Sequence, residues 1–234
     1  NINENCGSTH LEDLQARVVA EGADFGIAHD GDADRCLAVD AQGNVIDGDA
    51  IMTILGRGFK ERGALKSNTI VGTVMSNLGL ELLLAEKGIA FERAAVGDRY
   101  VLERMKTTGS NLGGEPSGHI LLPHLTRSGD GLIAALQILG VMCRTGKTAS
   151  ELLNQFVPVP QKLVNLPDID KSVLKEASII QTVAAVEAEL GNNGRVILRP
   201  SGTEPLIRVM VEALDEPALD KAMEKLVTAI ESYR

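Results

Sequence analysis

Tryptophan is absent from the 234 residues, and two Tyr and four Phe bring the aromatics to only 3%. So few rings cannot build a stacking platform for single-stranded nucleic acid. Basic residues are also in the minority: 23 Lys and Arg stand against 32 Asp and Glu, and they are scattered. A formal charge of −9 therefore speaks against a phosphate-backbone binder. No apolar run approaches the roughly 18–20 residues of a membrane span, and no charged-then-apolar signal pattern is read at the N-terminus. Neither nucleic acid nor membrane is an expected partner. Cysteine is scarce as well. Cys6, Cys36 and Cys143 are odd in number and form no CxxC, which excludes a disulfide framework and fits a reducing cytoplasm. Each is expected to be a small buried hydrophobe.

What is present is an ordinary globular composition, 44% hydrophobic and 24% charged, large enough for two or three small cores. Strand and helix patterns alternate. "THLEDLQARVVAEG" reads as a helix, "DFGIAHD" as a short strand, and "RCLAVDAQGNVIDGD" as a hairpin turning near Gln42-Gly43-Asn44. A second unit begins near Ala50. Its helix "IMTILGRGFKERG", strand "TIVGTVM", helix "SNLGLELLLAEKG" and strand "AFERAAVG" lead to the long helix of "SGDGLIAALQILGVMCRTG". Thr148 and Glu151 form a capping-box pattern. The prolines of "VPVPQKLVNLPDID" mark a linker. Beyond it come a helix over about 172–190, two strands, and a last helix capped by Asp215 with Pro217 in its first turn. The predicted fold is α/β, with a mixed sheet covered by helices, followed by a smaller α+β domain.

Four loops carry candidate chemistry. "GIAHDGDADRCLAV" sets Asp30, Asp32 and Asp34 at alternate positions. An EF-hand reading fails, because the sixth and twelfth positions hold Arg35 and Ala41 where Gly and Glu are needed. A haloacid-dehalogenase-type phosphatase, with Asp30 as nucleophile, matches in part. It would also need a downstream Lys and an acidic pair, for which no clear candidates are found. An Mg²⁺ site is preferred over a solvated acidic turn, since hard oxygen ligands suit a hard ion and Arg35 can hold a phosphate beside it.

"RPSGTEPLIR" offers Arg199, Ser201, Gly202, Thr203 and Arg208 between two strands, and its N–H and hydroxyl groups can converge on one anion. An ordinary turn is the competing reading. "GGEPSGHI" brings Glu115, Ser117 and His119 together, a set that suits vicinal sugar hydroxyls. "VGDRYV" projects Arg99 from a helix start, where a salt-bridged N-terminus explains it equally well. His10, His29 and His124 have no partners legible in the sequence.

In this order, "DGDADR", "VGDRYV", "GGEPSGH" and "RPSGTEPLIRV" resemble the α-D-phosphohexomutase superfamily over essentially the whole chain. "VGDRYV" points to its glucosamine branch. The resemblance implies interconversion of glucosamine 6-phosphate and glucosamine 1-phosphate, through a phosphoserine enzyme and a 1,6-bisphosphate, in a cleft between four domains. Asp30, Asp32 and Asp34 would bind Mg²⁺, and Arg35 would contact the transferring phosphoryl group. Glu115, Ser117 and His119 would meet the sugar, and Arg99 would help select it. Arg199, Ser201, Gly202 and Thr203, supported by Arg208, would hold the other phosphate of a phosphorylated hexosamine.

Residues 1–49 would then be the end of domain 2, 50–157 domain 3, and 158–234 domain 4. Two departures stand out: Pro116 stiffens the sugar loop, and no Ser-His-Asn-Pro-like phosphoserine loop occurs. Asn1 is no initiator, so a piece of a longer enzyme is expected, catalytically inactive alone and a weak binder of Mg²⁺. Apolar surface exposed on residues 1–49 would serve for homodimerisation. The competing functions are the sugar phosphatase and a non-catalytic sugar-phosphate binding module.

Overall fold

A computed structural model describes every residue except Asn3, Gly202 and Thr203. The chain divides into two compact units, Asn1–Val157 and Pro158–Arg234.

In the first unit, α1 (Glu12–Glu21) leads into β1 (Phe25–His29), β2 (Cys36–Asp40) and β3 (Val45–Ile46), a three-stranded antiparallel sheet. Asp40 accepts from the N–H groups of Gln42 and Asn44, which fixes the β2–β3 turn where the sequence places it. Next come α2 (Gly48–Glu61), β4 (Thr69–Thr73), α3 (Leu78–Glu86), β5 (Ala90–Ala94), α4 (Asp98–Thr108), β6 (Gly113–Gly114) and β7 (Ile120–Leu121). Their strands form a second sheet in the order β5-β4-β6-β7, parallel except for the last pair. The unit closes with α5 (Gly131–Thr145) and α6 (Ala149–Leu153), the latter opened by the Thr148–Glu151 capping box.

Helix α2 explains why both sheets belong to one unit. Its buried side chains Ile51, Met52, Leu55 and Phe59 share a single core with Cys36, Ala38 and Ile46 of the first sheet. Ile70 of β4 and Ile138 of α5 complete the same core. All nine residues from Gly48 to Gly56 are buried, so the first half of this helix is stable only when surrounded. Asp47 caps it, accepting from the N–H of Ala50 at 2.9 Å.

The second unit consists of β8 (Gln161–Pro167), α7 (Ala177–Leu190), β9 (Gly194–Pro200), β10 (Leu206–Ala213) and α8 (Glu216–Glu231). Its sheet is antiparallel in the order β8-β10-β9. Alternate residues of the central strand, Ile207, Val209, Val211 and Ala213, pack with Val186 of α7 and Leu226 of α8. On the other face Glu212 is fully buried in an ion pair with Arg195, its cross-strand neighbour. Asp215 caps α8 with Pro217 in the first turn, as the sequence predicts.

Two sequence expectations need correction. The helix over about 172–190 is broken: a 3-10 turn spans Lys171–Lys175, and Glu176 is extended before α7 begins. Val173 and Ile179 both enter the core, yet a continuous helix would set residues six apart on different faces. Of the cysteines only Cys36 is buried; Cys143 is exposed and Cys6 intermediate. Burial pushes the Cys36 thiol up to about 12, so it is inert.

Candidate functional site

The loop Asp30–Arg35 joins β1 to β2, and the register pair His29–Cys36 closes it at its base. Ala33 takes a left-handed φ of 57°. Its N–H donates to the Asp30 carbonyl at 3.2 Å, and its own carbonyl accepts from Gly131 at 2.9 Å. His29 Nδ1 lies 2.8 Å from the Arg35 carbonyl, an acceptor only, so this nitrogen carries the proton. The result is a loop held on both flanks.

Within it, Asp30, Asp32 and Asp34 each present a carboxylate oxygen within 4.8 Å of the other two. Burial raises the pKa of Asp34; the nearby His119 works against this, and the charges of Asp30 and Asp32 add to it. Arg35 folds back over the cluster. Its Nε stands 3.4 Å from Asp30 Oδ2 and 3.8 Å from Asp34 Oδ1, while its backbone N–H donates to Asp30 Oδ1 at 3.2 Å. Three crowded carboxylates against one guanidinium leave a net negative, all-oxygen set. That donor chemistry fits Mg²⁺.

The turn Glu115–Gly118 is docked directly against this loop. Cys36 N–H donates to the Gly118 carbonyl and Gly48 N–H to the Pro116 carbonyl, each at 3.0 Å. Both contacts require glycine. A Cβ on Gly48 would lie 1.9 Å from the Glu115 carbonyl oxygen, and one on Gly118 would lie 2.3 Å from that of Cys36. Gly118 also has a φ of 88°. Pro116 costs nothing here, because the turn uses its carbonyl.

His119 is 7% exposed, and its Nδ1 is 3.1 Å from Asp34 Oδ2. Its Nε2 and the Ser117 hydroxyl are buried without a hydrogen-bond partner. Such groups are costly unless water or a ligand satisfies them. Glu115 reaches the third loop, its Oε1 accepting from the Gly97 N–H at 2.9 Å. Arg99, by contrast, rests on its own helix, 3.5 Å from Glu103 and with its guanidinium 5.3 Å from the Tyr100 ring centre. Thus one unit brings together the loops of Asp30–Arg35 and Glu115–His119 and ties in the backbone at Gly97.

The "RPSGTEPLIR" loop lies in the second unit, between β9 and β10, where Arg199 and Arg208 are cross-strand partners. Gly202 and Thr203 lie outside the described residues. Ser201, 6% exposed, has every polar atom engaged. Its N–H donates to the Leu206 carbonyl at 2.9 Å, its hydroxyl accepts from Glu204 at 3.2 Å, and its carbonyl accepts from Lys171 Nζ at 2.5 Å. Arg208 pairs with Glu204 at 2.9 Å.

Sequence reasoning missed Lys171, His29 and Gly48. Lys171 reaches the loop only through the turn that breaks the predicted helix, so no local signal marks it. His29 and Gly48 sit beside motif residues, but their roles depend on backbone partners, the Arg35 carbonyl across the loop and the distant Pro116 carbonyl, that only the fold supplies.

Residues 47–159 match phosphoglucomutase/phosphomannomutase, alpha/beta/alpha domain III, and residues 152–229 match the C-terminal domain of the same family. The chain is 54% identical over 231 residues to phosphoglucosamine mutase of Corynebacterium aurimucosum and 53% identical over 233 residues to that of Rhodococcus jostii. These alignments cover 98% and 99% of this chain and 52% of each relative, so the chain spans about half the length of the curated relatives it matches. Its fold is also that of a phosphoglucomutase/phosphomannomutase family protein from Burkholderia thailandensis, with TM-score 0.77 and 23% identity over 97% of this chain and 51% of that one. An N-acetylphosphoglucosamine mutase from Aspergillus fumigatus, solved with GlcNAc-6P and magnesium, gives TM-score 0.75 and 19% identity over 99% of this chain and 54% of that one. The chain belongs to the phosphoglucomutase/phosphomannomutase family, of which it carries domain III and the C-terminal domain.

Proposed function

We propose that this chain supplies the metal, sugar and phosphate loops of a phosphotransferase that interconverts glucosamine 6-phosphate and glucosamine 1-phosphate. The observation that carries this reading is the docking of the Glu115–His119 turn onto the aspartate loop. It sets two buried atoms that lack a protein partner, Ser117 Oγ and His119 Nε2, beside a candidate Mg²⁺ site, and their chemistry suits sugar hydroxyls. The relatives named phosphoglucosamine mutase, at 53–54% identity, support the choice of sugar.

Asp30, Asp32 and Asp34 would hold Mg²⁺, which when bound draws charge off transferring phosphoryl oxygens. Arg35, held on the aspartates until substrate arrives, contacts the phosphoryl group. Glu115 and Ser117 orient the sugar hydroxyls with His119 beside them, and Arg99 swings from its helix to select the sugar. Arg199, Ser201, Gly202 and Thr203, backed by Arg208 and Lys171, grip the phosphate that is not reacting. The phosphoryl carrier in this scheme is a phosphoserine, which passes its group to one end of the sugar. The bisphosphate turns over, and the other phosphate returns to the serine. No Ser-His-Asn-Pro-like loop occurs in the 234 residues, so the chain alone is expected to be inactive. The reducing cytoplasm is its proposed compartment; no described helix is long and apolar enough to cross a membrane.

Binding of glucosamine 6-phosphate to the chain with Mg²⁺, followed by calorimetry, tests the site. Saturable binding that weakens about tenfold in Ser117→Ala is expected, since the unpartnered hydroxyl leaves the fold nothing to lose. Unchanged affinity in that variant would count against the assignment. Release of free phosphate, lost in Asp30→Asn, would favour a phosphatase instead.

A further inference from the structure

Two adjoining surface cavities, of about 290 and 510 Å³, lie at the amino ends of β4 and β6 and share Lys66, Asn111 and His124 in their walls. The sugar loop follows the carboxyl end of β6, so this cleft lies at the opposite end of the same sheet. Its charged and titratable lining is Arg62, Lys66, Lys106 and His124, with no acidic residue, in a chain where acids outnumber bases. Among the described residues, no carboxylate oxygen lies within 4.0 Å of the three permanent cations. These cations come from the end of α2, the turn before β4 and the last turn of α4.

The side chains of Arg62, Lys66, Lys106 and His124 are exposed, but the frame that carries them is fixed. Asn111 is buried and accepts from the Lys66 N–H at 2.9 Å while donating to the Ala64 carbonyl at 3.0 Å, fixing the backbone that carries Lys66. Phe59 meets the His124 ring edge-on at 5.9 Å and holds the Arg62 guanidinium 4.6 Å from its own centre. The ends of α2 and α4 point here and supply an innocent reason for cations. Each helix C-terminus carries only about half a negative charge, roughly one in total. Three cations exceed that by about two charges.

We propose that this cleft is a second anion site, which takes the phosphate group of a small soluble molecule and is separate from the loops described above. The neighbourhood of His124 agrees with this. Burial, then the charges of Lys66 and Arg62, hold its pKa below the ordinary histidine value, and α5 contributes only the uncharged Gln137. A dianion seated among Arg62, Lys66 and Lys106 would cancel that repulsion and let His124 protonate and donate.

The test follows the imidazole resonances of His124 in the full 234-residue chain by NMR, assigned with His124→Gln, as inorganic phosphate is added. Potassium chloride at matched ionic strength serves as the control. Phosphate is expected to raise the His124 titration midpoint well beyond the chloride effect. In Lys66→Gln/Lys106→Gln the midpoint should start higher, and the phosphate response should need at least about tenfold more ligand, the loss of roughly one charge-assisted contact. A midpoint that ignores phosphate, moves equally in chloride, or responds equally in the double variant overturns the proposal. Vesicles of phosphatidylglycerol separate the sources of phosphate. Sedimentation with them that the double variant loses would assign the cleft to a lipid headgroup and overturn the soluble-ligand form.

Discussion

His119 Nδ1 stands 3.1 Å from Asp34 Oδ2, and through this contact the Glu115–His119 turn and the aspartate loop share one polar cluster. The cluster is costly without a cation. Burial and the neighbouring carboxylates of Asp30 and Asp32 raise the Asp34 pKa despite His119.

Asp34→Asn should therefore act with opposite sign in two conditions. Without divalent cation it stabilises the chain slightly, by no more than about 1 kcal/mol because Asp34 is partly exposed. With Mg²⁺ at about a hundredfold excess over its dissociation constant, the native chain gains roughly 2.7 kcal/mol and the variant much less. Thermal unfolding with EDTA and with Mg²⁺ reads the crossover; parallel shifts in both proteins would contradict it.

Asp49 gives a pH dependence of its own. It is 2% exposed and accepts from the Asn77 N–H at 2.7 Å, and burial with the charge of Asp47 raises its pKa to about 7. Between pH 4 and 7 the folded chain holds a proton there that the unfolded chain has released. Stability from this group should thus fall by up to about 1.4 kcal/mol per pH unit across that window and level off above it. Asp49→Asn keeps an acceptor for Asn77 and should flatten the slope. Urea unfolding at pH 5 and 7.5 checks this, and an equal slope in both proteins would refute it.

Gly48→Ala sets two effects against each other. Alanine favours a helix interior by up to about 1 kcal/mol, and less at this first position of α2. Its methyl would meet a backbone carbonyl 1.9 Å away, and carbonyls of a docked turn do not yield as a flexible side chain does. The clash should win, leaving a net loss of about 1–3 kcal/mol in urea unfolding and weaker sugar-phosphate binding. A stabilised variant would show that the turn is not held as described.

Lys171→Met removes the ammonium that holds the Ser201 carbonyl at 2.5 Å. Affinity for a sugar phosphate should fall roughly tenfold, the value of one charge-assisted hydrogen bond, while Mg²⁺ affinity stays unchanged. Titration calorimetry with each ligand separates the two. A loss of Mg²⁺ binding would contradict a role confined to the loop between Arg199 and Arg208.

The mixed sheet, its helices and the smaller C-terminal unit were legible because apolar periodicity and caps such as Thr148 and Asp215 act locally. The aspartate loop was legible as a crowd of like charges in search of a cation. Gly48 and Lys171 escaped because their importance lies in what the fold brings to them: the Pro116 carbonyl in one case, the Ser201 carbonyl in the other. The break at Glu176 escaped for a similar reason. Val173 and Ile179 both enter the core, which a continuous helix would not allow, and that need appears only in the packed unit.

The most direct measurement joins this chain behind the N-terminal half of the Corynebacterium aurimucosum phosphoglucosamine mutase, to which it is 54% identical. Glucosamine 6-phosphate, Mg²⁺ and a 1,6-bisphosphate primer are then followed by ³¹P NMR. The expected result is a steady rise of glucosamine 1-phosphate without free phosphate, lost in Asp32→Asn, and no turnover by the 234-residue chain alone. Turnover that survives Asp32→Asn, or free phosphate as the main product, would contradict the assignment of these loops to a mutase.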